Sequence, residues 1–427
     1  MARPAHHATT RHIGAAYPFA ASAASTTGVL VGRDLAGGLF THDPFERYRR
    51  GELTDPNMVV FGQIGRGKSA FVKTYLWRHA VFGRRAWVVD PKGEYGALAR
   101  AWGVTPLALR PGGTLRLNPL DSGGDLGLVG DDPNRRRGEL LASLAAASLG
   151  RPLTPVERAA LDVAVAEAGR KPVPTLPSVV DAMLDPTPAA ARSLRTDRAG
   201  LAAEGRAVAL ELRRLVSGDL RGMFDGPTSP GIDLDGPLVV LDLSAVYQSG
   251  ALGALMTCAT AWLQGRLAAP EGTAAREGGG VLLVVDEAWA VLAHLGMARW
   301  LQGSWKLSRA RGVAHLAVVH RVSDLEQAGG AGSEQAGLAA GLLADSQTRV
   351  VYGQAPGEVS RARELLGLTD TEAELVPHLR RGTALWKLGE RSFLVSHLLG
   401  PAEVALVDTD GAMSAEHPAR RRRRSPP

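Results

Sequence analysis

Cysteine is nearly absent. Cys258 stands alone among 427 residues, which excludes an intramolecular disulfide framework and any cysteine-based zinc site. Its setting, the apolar stretch Ala251–Leu263, is that of a small core side chain. No apolar run reaches the roughly 20 residues needed to span a bilayer. No charged segment followed by a long apolar run opens the chain, as a secretory signal would require, so a cytoplasmic location is expected. Internal repeats of the kind that mark solenoids or propellers are missing as well. So is a large charge imbalance: of the formal net charge of +6, Arg420–Arg424 supplies five units. That arginine run reads as a solvated, disordered tail and is weak evidence for nucleic acid.

What is present is ordinary globular composition, 45% hydrophobic and 22% charged. At roughly 150 residues per domain the length allows two or three domains. Residues 1–55 read as a partly disordered leader, with short apolar stretches near its end that suit a hairpin packed on the core. Residues 56–122 alternate strand and helix patterns: Met58–Phe61 is a buried strand, a helical pattern carries Phe71, Tyr75, Leu76 and Ala80, and Ala86–Val89 is a second strand. A helix-like stretch, Gly93–Trp102, follows. Such alternation predicts a mainly parallel sheet covered by helices on both faces.

From 123 to 231 strand signals vanish and alanine-rich helical stretches take over, which reads as an all-α subdomain inserted into the α/β core. Thr154-Pro155-Val156-Glu157 has a capping-box pattern with proline at the first helical position. Strand signals return over 232–409 as Leu238–Leu243, Val281–Val285, Ala314–Val319 and Arg349–Tyr352, then as a hairpin joined at Gly389-Glu390. Residues 410–427 are polar and basic and read as a disordered tail.

Two motifs carry chemistry. Gly62-Gln63-Ile64-Gly65-Arg66-Gly67-Lys68-Ser69 matches the phosphate-loop pattern G-x-x-x-x-G-K-[ST] in full, between a predicted strand and a predicted helix. Its glycines permit a tight turn whose N–H groups, with that of Ala70, cradle phosphate oxygens at the positive end of the helix dipole. Lys68 would reach the β- and γ-phosphates, and Ser69 would ligate Mg²⁺. Val281-Leu282-Leu283-Val284-Val285-Asp286-Glu287 is an apolar strand ending in two carboxylates. Asp286 would hold Mg²⁺ through water, and Glu287 would orient and deprotonate the attacking water. On its own, such an acidic pair could also merely cap the next helix. With the phosphate loop, the pair implies hydrolysis of a nucleoside triphosphate.

The order of Gly62–Ser69, Asp90-Pro91-Lys92-Gly93-Glu94-Tyr95, Leu117-Asn118-Pro119-Leu120-Asp121 and Asp286-Glu287, with a helical insertion between, resembles the conjugal-transfer and type IV secretion ATPases. These are the TraC-like branch of the HerA/FtsK superfamily of P-loop NTPases, and the resemblance spans roughly Tyr17 to Thr409. It implies a RecA-like core, ATP with Mg²⁺, and a ring, expected to be a homo-hexamer. It also implies an arginine acting across a subunit interface, for which Arg309 is the best match and Arg311 the alternative. Finally, it implies a polar sensor ending the strand after the acidic pair, where this chain has His320 in place of the usual glutamine. The same histidine also reads as a residue without nucleotide contact. Lys92 and Glu94 would meet nucleotide, a neighbouring subunit or each other.

The resemblance makes the chain a motor of a conjugation or type IV secretion machine, associated with membrane channel components and acting on DNA or protein. A HerA- or FtsK-like translocase working directly on DNA, and a nucleotide-dependent assembly scaffold with little turnover, are the alternatives. No zinc finger or clear helix-turn-helix supports the translocase reading, and intact Lys68, Ser69, Asp286 and Glu287 oppose the scaffold.

Overall fold

The computed structural model describes residues 28–35, 37–121, 132–218, 220–234, 236–247, 249–267, 280–292, 295–306, 309, 312–320, 337–338, 341–342 and 345–407. Most of the leader, the arginine tail and Arg311 lie outside the described residues.

An 11-stranded sheet organises the molecule. Its strands are β1 (Val29–Asp34), β2 (Leu39–His42), β3 (Met58–Phe61), β4 (Arg85–Asp90), β5 (Leu107–Ala108), β6 (Leu238–Asp242), β7 (Val281–Val285), β8 (Val313–Val319), β9 (Thr348–Tyr352), β10 (Thr383–Leu388) and β11 (Arg391–His397). They run in the order β2-β1-β11-β10-β9-β3-β8-β7-β4-β6-β5. From β9 to β5 every pairing is parallel. The β10–β11 hairpin and the β1–β2 pair extend the sheet antiparallel beyond β9.

The central strands β3 and β7 are apolar at every position, and β4 and β8 nearly so, because both faces are covered. Val59 and Phe61 of β3, Trp87 and Val89 of β4, and Leu283 and Val285 of β7 join one core. Their alternates Met58, Val60, Ala86, Val88, Leu282 and Val284 join another, together with Phe71, Val72, Tyr75 and Leu76. Those four belong to α2 (Lys68–His79); α1 is the short helix Pro44–Arg49.

The stretch after β4 is less helical than its composition predicts: α3 spans only Gly96–Ala101. The carboxylate of Asp90 takes the N–H groups of Lys92, Glu94 and Tyr95, and Gly93 sits at φ 71°, so residues 91–95 are held as a turn.

Between β5 and β6 come α4 (Pro133–Leu149), α5 (Pro155–Ala168), α6 (Leu176–Leu184), α7 (Pro188–Ser193) and α8 (Arg198–Ser217). The capping box at Thr154 and Glu157 forms as the sequence predicts. Leu141, Leu161, Val179 and Leu212 from these helices belong to the same core as Trp87 and Leu283. The helical block therefore packs continuously with one sheet face through α9 (Leu252–Leu267) and α11 (Leu295–Lys306), with α10 (Trp289–Leu292) between them. Cys258 on α9 is buried in this core. After β9 come α12 (Val359–Leu366) and α13 (Asp370–Leu375).

Candidate nucleotide and hydrolysis site

Strand register assembles the site. Phe61 pairs with Val319, so Gly62 and His320 leave the sheet side by side. Val89 pairs with Val285, so Asp90 and Asp286 do the same. The phosphate loop, the acidic pair, the sensor position and the Asp90–Tyr95 turn all meet at the carboxyl ends of parallel strands, the edge where ligands bind in open α/β sheets.

The loop's backbone explains its glycines. Gly62, Gly65 and Gly67 have φ of 153°, 79° and 112°, a region that penalises any Cβ. A Cβ on Gly62 would lie 2.5 Å from that of Tyr352 at the end of β9. The Gln63 N–H donates to the Gly353 carbonyl at 3.2 Å, and the Gly382 N–H donates to the Arg66 carbonyl at 2.9 Å, which ties the loop to β9 and β10. Arg66 itself reaches Leu379 O and Gln63 Oε1. Ile64 and Gly65 are exposed at the loop's tip, while Ser69 and Ala70 are half-buried in the first turn of α2.

Lys68 is buried and curls over its own loop, donating to the carbonyls of Gly62 and, at 3.0 Å, Gln63. Burial lowers its pKa from 10.5 to about 8, against the pull of Asp286 and Glu287.

Asp286 is buried beneath the edge and accepts from Tyr95 Oη at 3.3 Å and from the Glu287 N–H at 2.9 Å. Burial, then repulsion from Glu287, Asp90 and Glu94, pushes its pKa up to about 7. Asp90 is likewise raised by burial to about 6, although the N–H groups of Tyr95 and Glu94 oppose the shift.

Glu287 behaves in the opposite way. Burial would raise it, but His320 and Lys92 outweigh that effect and hold it near 2. His320 Nε2 lies 2.5 Å from Glu287 Oε1, Lys92 Nζ pairs with the same oxygen, and Trp289 Nε1 donates to Oε2. Glu287 has φ 53°, a left-handed conformation that is uncommon without glycine.

One predicted residue is not brought to the site of its own chain. Arg309 is exposed and donates to the Thr54 carbonyl at 3.4 Å. It lies where β8 begins and ahead of β3, at the sheet edge opposite the phosphate loop. The Asp90–Tyr95 turn also resolves its open pairings: Lys92 binds Glu287, whereas Glu94 faces Lys73 at 3.9 Å. Lys73 was missed by sequence reading. It is buried on α2 beside the Tyr95 ring, 5.5 Å from its centroid, and burial lowers its pKa despite Glu94, Asp90 and Asp286. Its place on the helix that follows the phosphate loop, five residues after Lys68, was the only available signal. Trp289 was missed too.

No protein-family model matches this sequence, and no curated protein does. Solved structures share its fold. VirB4 of Thermoanaerobacter pseudethanolicus is similar with a TM-score of 0.69 at 22% identity, covering 89% of this chain and 99% of that one. Plasmid coupling protein TrwB in complex with ADP and Mg²⁺ gives a TM-score of 0.57 at 16% identity, covering 88% and 91%. TrwB in complex with a non-hydrolysable ATP analogue gives 0.52 at 17% identity, with the same coverage of 88% and 91%. The fold is the RecA-like P-loop NTPase fold, with a mainly parallel sheet.

Proposed function

We propose that this chain is the ATP-hydrolysing motor of a conjugation or type IV secretion machine, powering DNA or protein transfer or channel assembly. One observation carries the reading: strand register draws Lys68, Asp286 and Glu287 to one sheet edge, on the fold shared with VirB4 and TrwB.

Gly62–Ala70 is the nucleotide cradle, with Lys68 neutralising the β- and γ-phosphates. Glu287, ionised at neutral pH and shielded from bulk water, accepts the proton of the attacking water. The donor set fits Mg²⁺. Asp286 is a buried carboxylate beside Asp90 and Glu94, an excess of negative charge that a cation would relieve. Among the described residues there is no cluster of three or more His, Cys, Asp or Glu able to hold a metal. Mg²⁺ commonly binds through one or two protein side chains and is completed by phosphates and water. Ser69 and Asp286 would hold it, and when bound it would supply positive charge to offset that of the phosphates.

TrwB is named in complex with ADP and Mg²⁺, with an ATP analogue and with a GTP analogue, which supports a nucleoside triphosphate and makes ATP against GTP a direct comparison. Arg309, on the far edge of its own sheet, suits a ring in which each site is completed by the neighbouring copy. We infer a homo-hexamer docked on membrane channel components. No helix among the described residues is long and apolar enough to cross a membrane.

ATP hydrolysis by the purified chain, with and without DNA, tests this. Lys68→Ala should abolish nucleotide binding or turnover. Glu287→Gln should retain ATP binding while turnover falls by about 10²–10⁴-fold. Equal rates for wild type and Glu287→Gln would remove Glu287 from the mechanism. Strong stimulation by DNA that collapses with salt would move the reading to direct DNA translocation.

A further inference from the structure

We propose that Lys92 is a positioning residue for hydrolysis, fixing the Glu287 carboxylate so that one lone pair of Oε2 is left for the attacking water. The inference rests on the reading of Glu287 as the general base.

An ionised carboxylate offers about four acceptor positions. Three protein donors occupy three of them: Lys92 and His320 share Oε1, and Trp289 takes Oε2. Lys92 Nζ is also 3.3 Å from His320 Nε2, so both donors approach from one side. What remains is a single acceptor direction on Oε2. A carboxylate free to rotate would present either oxygen in many orientations. One pinned at three points presents a single direction, which is the pre-organisation general-base chemistry requires. The left-handed φ of Glu287 fits this account, since such a conformation persists only where surrounding contacts over-determine it.

Lys92 is itself held. It rides on the turn whose N–H groups converge on the Asp90 carboxylate. Gly93 packs so tightly that a Cβ there would meet the Ser244 side chain at 3.3 Å. The Lys92 ammonium lies 5.5 Å from the centre of the Tyr247 ring. A surface lysine pairing casually with a carboxylate has none of these restraints. Here the ammonium reaches in to a carboxylate side chain only 2% exposed. The Asp90–Tyr95 turn thereby acquires a role: its tyrosine holds Asp286 and its lysine holds Glu287.

The test uses the full chain. Lys92→Met, which keeps the aliphatic stem, should lower kcat roughly 10- to 100-fold. KM and the affinity for a non-hydrolysable ATP analogue should stay within about 3-fold of wild type. Lys92→Arg should recover part of the rate. In the Glu287→Gln background, Lys92→Met should add no further loss, because the group it positions is gone. The proposal is overturned if Lys92→Met turns over at the wild-type rate, if it weakens analogue binding with kcat unchanged, or if its cost is equal in both backgrounds. A slow Glu287→Gln beside a fast Lys92→Met would keep the base and remove the positioning. A fast Glu287→Gln would remove the base itself. Melting curves separate lost folding from lost turnover, and should Lys92→Met not fold, Lys92→Gln carries the same cycle.

Discussion

At the residue scale, burial sorts ionisable groups into two uses. Around Asp286 and Glu287 it acts on both carboxylates, yet only Asp286 rises, to about 7, because His320 and Lys92 hold Glu287 near 2. Away from the site it makes pH a stability variable. His79 is fully buried between Tyr75, Asp43 and Arg84, and neither ring nitrogen makes a hydrogen bond. Burial lowers its pKa from 6.5 to about 4; Asp43 opposes this and Arg84 adds to it. His397 is lowered to about 4 as well, by burial and then by Arg78, with Glu403 opposing. An unfolded histidine takes a proton below 6.5 that the folded one refuses until about 4. The stabilisation is thus complete above pH 6.5 and is lost as pH falls through 4. His79 alone should account for roughly 3 kcal/mol over that interval. The raised carboxylates Asp55, Asp90 and Asp286 work in the opposite sense. Comparing wild type with His79→Phe isolates the histidine: the mutant's melting temperature should fall less between pH 6.5 and 4.5. Parallel curves would contradict the assignment.

At the element scale, the phosphate loop is held from outside as much as by its own glycines. Tyr352 of β9 stands against Gly62, and the Gly353 carbonyl and Gly382 N–H bind the loop. Gly62→Ala should therefore cost about 1–3 kcal/mol of stability and weaken nucleotide binding together, because the added methyl drives the loop off β9. Chemical denaturation and analogue titration check both, and an intact loop would show neither loss. The hairpin beyond β9 has its own anchor. Glu372 accepts from Lys387 at 2.7 Å, from Ser392 and from the Thr369 N–H. Glu372→Ala should cost about 3–5 kcal/mol by leaving the buried ammonium of Lys387 unpaired. A Glu372→Ala, Lys387→Met double variant should regain part of it in denaturant titrations.

Legibility in sequence followed the range of each interaction. Strands such as β3 and β7 could be read because burial on both faces leaves an unbroken apolar run, and the loop because its spacing is local. The shorter α3 could not, since the Asp90 carboxylate overrides the helical composition of the residues after it. Nor could the partner of Lys92, because Glu287 becomes its neighbour only when β4 and β7 pair. From sequence, nucleotide, a neighbouring subunit and Glu94 all stayed open as partners.

At the scale of the whole molecule, the proposed site draws on both edges of one sheet. Arg309 lies opposite the loop it is proposed to serve, so a single copy cannot bring it there. Arg309→Ala should lose turnover as a pure assembly and regain it when mixed with Lys68→Ala subunits, which supply the arginine but bind no nucleotide. Mixed assemblies of verified composition that stay inactive would count against a role across the interface.

The sheet has one further property, and it concerns synthesis. Gly32 of β1 pairs with His397 of β11, so the first strand waits for the last. At ribosomal speeds of about 5–20 residues per second, β1 and β2 emerge roughly 20–70 s before that partner exists. During that interval their free edges are open to any other strand, including those of a sister nascent chain. Translation speed between β2 and β11, and chaperone supply, should thus govern how much of this protein is recovered in soluble form.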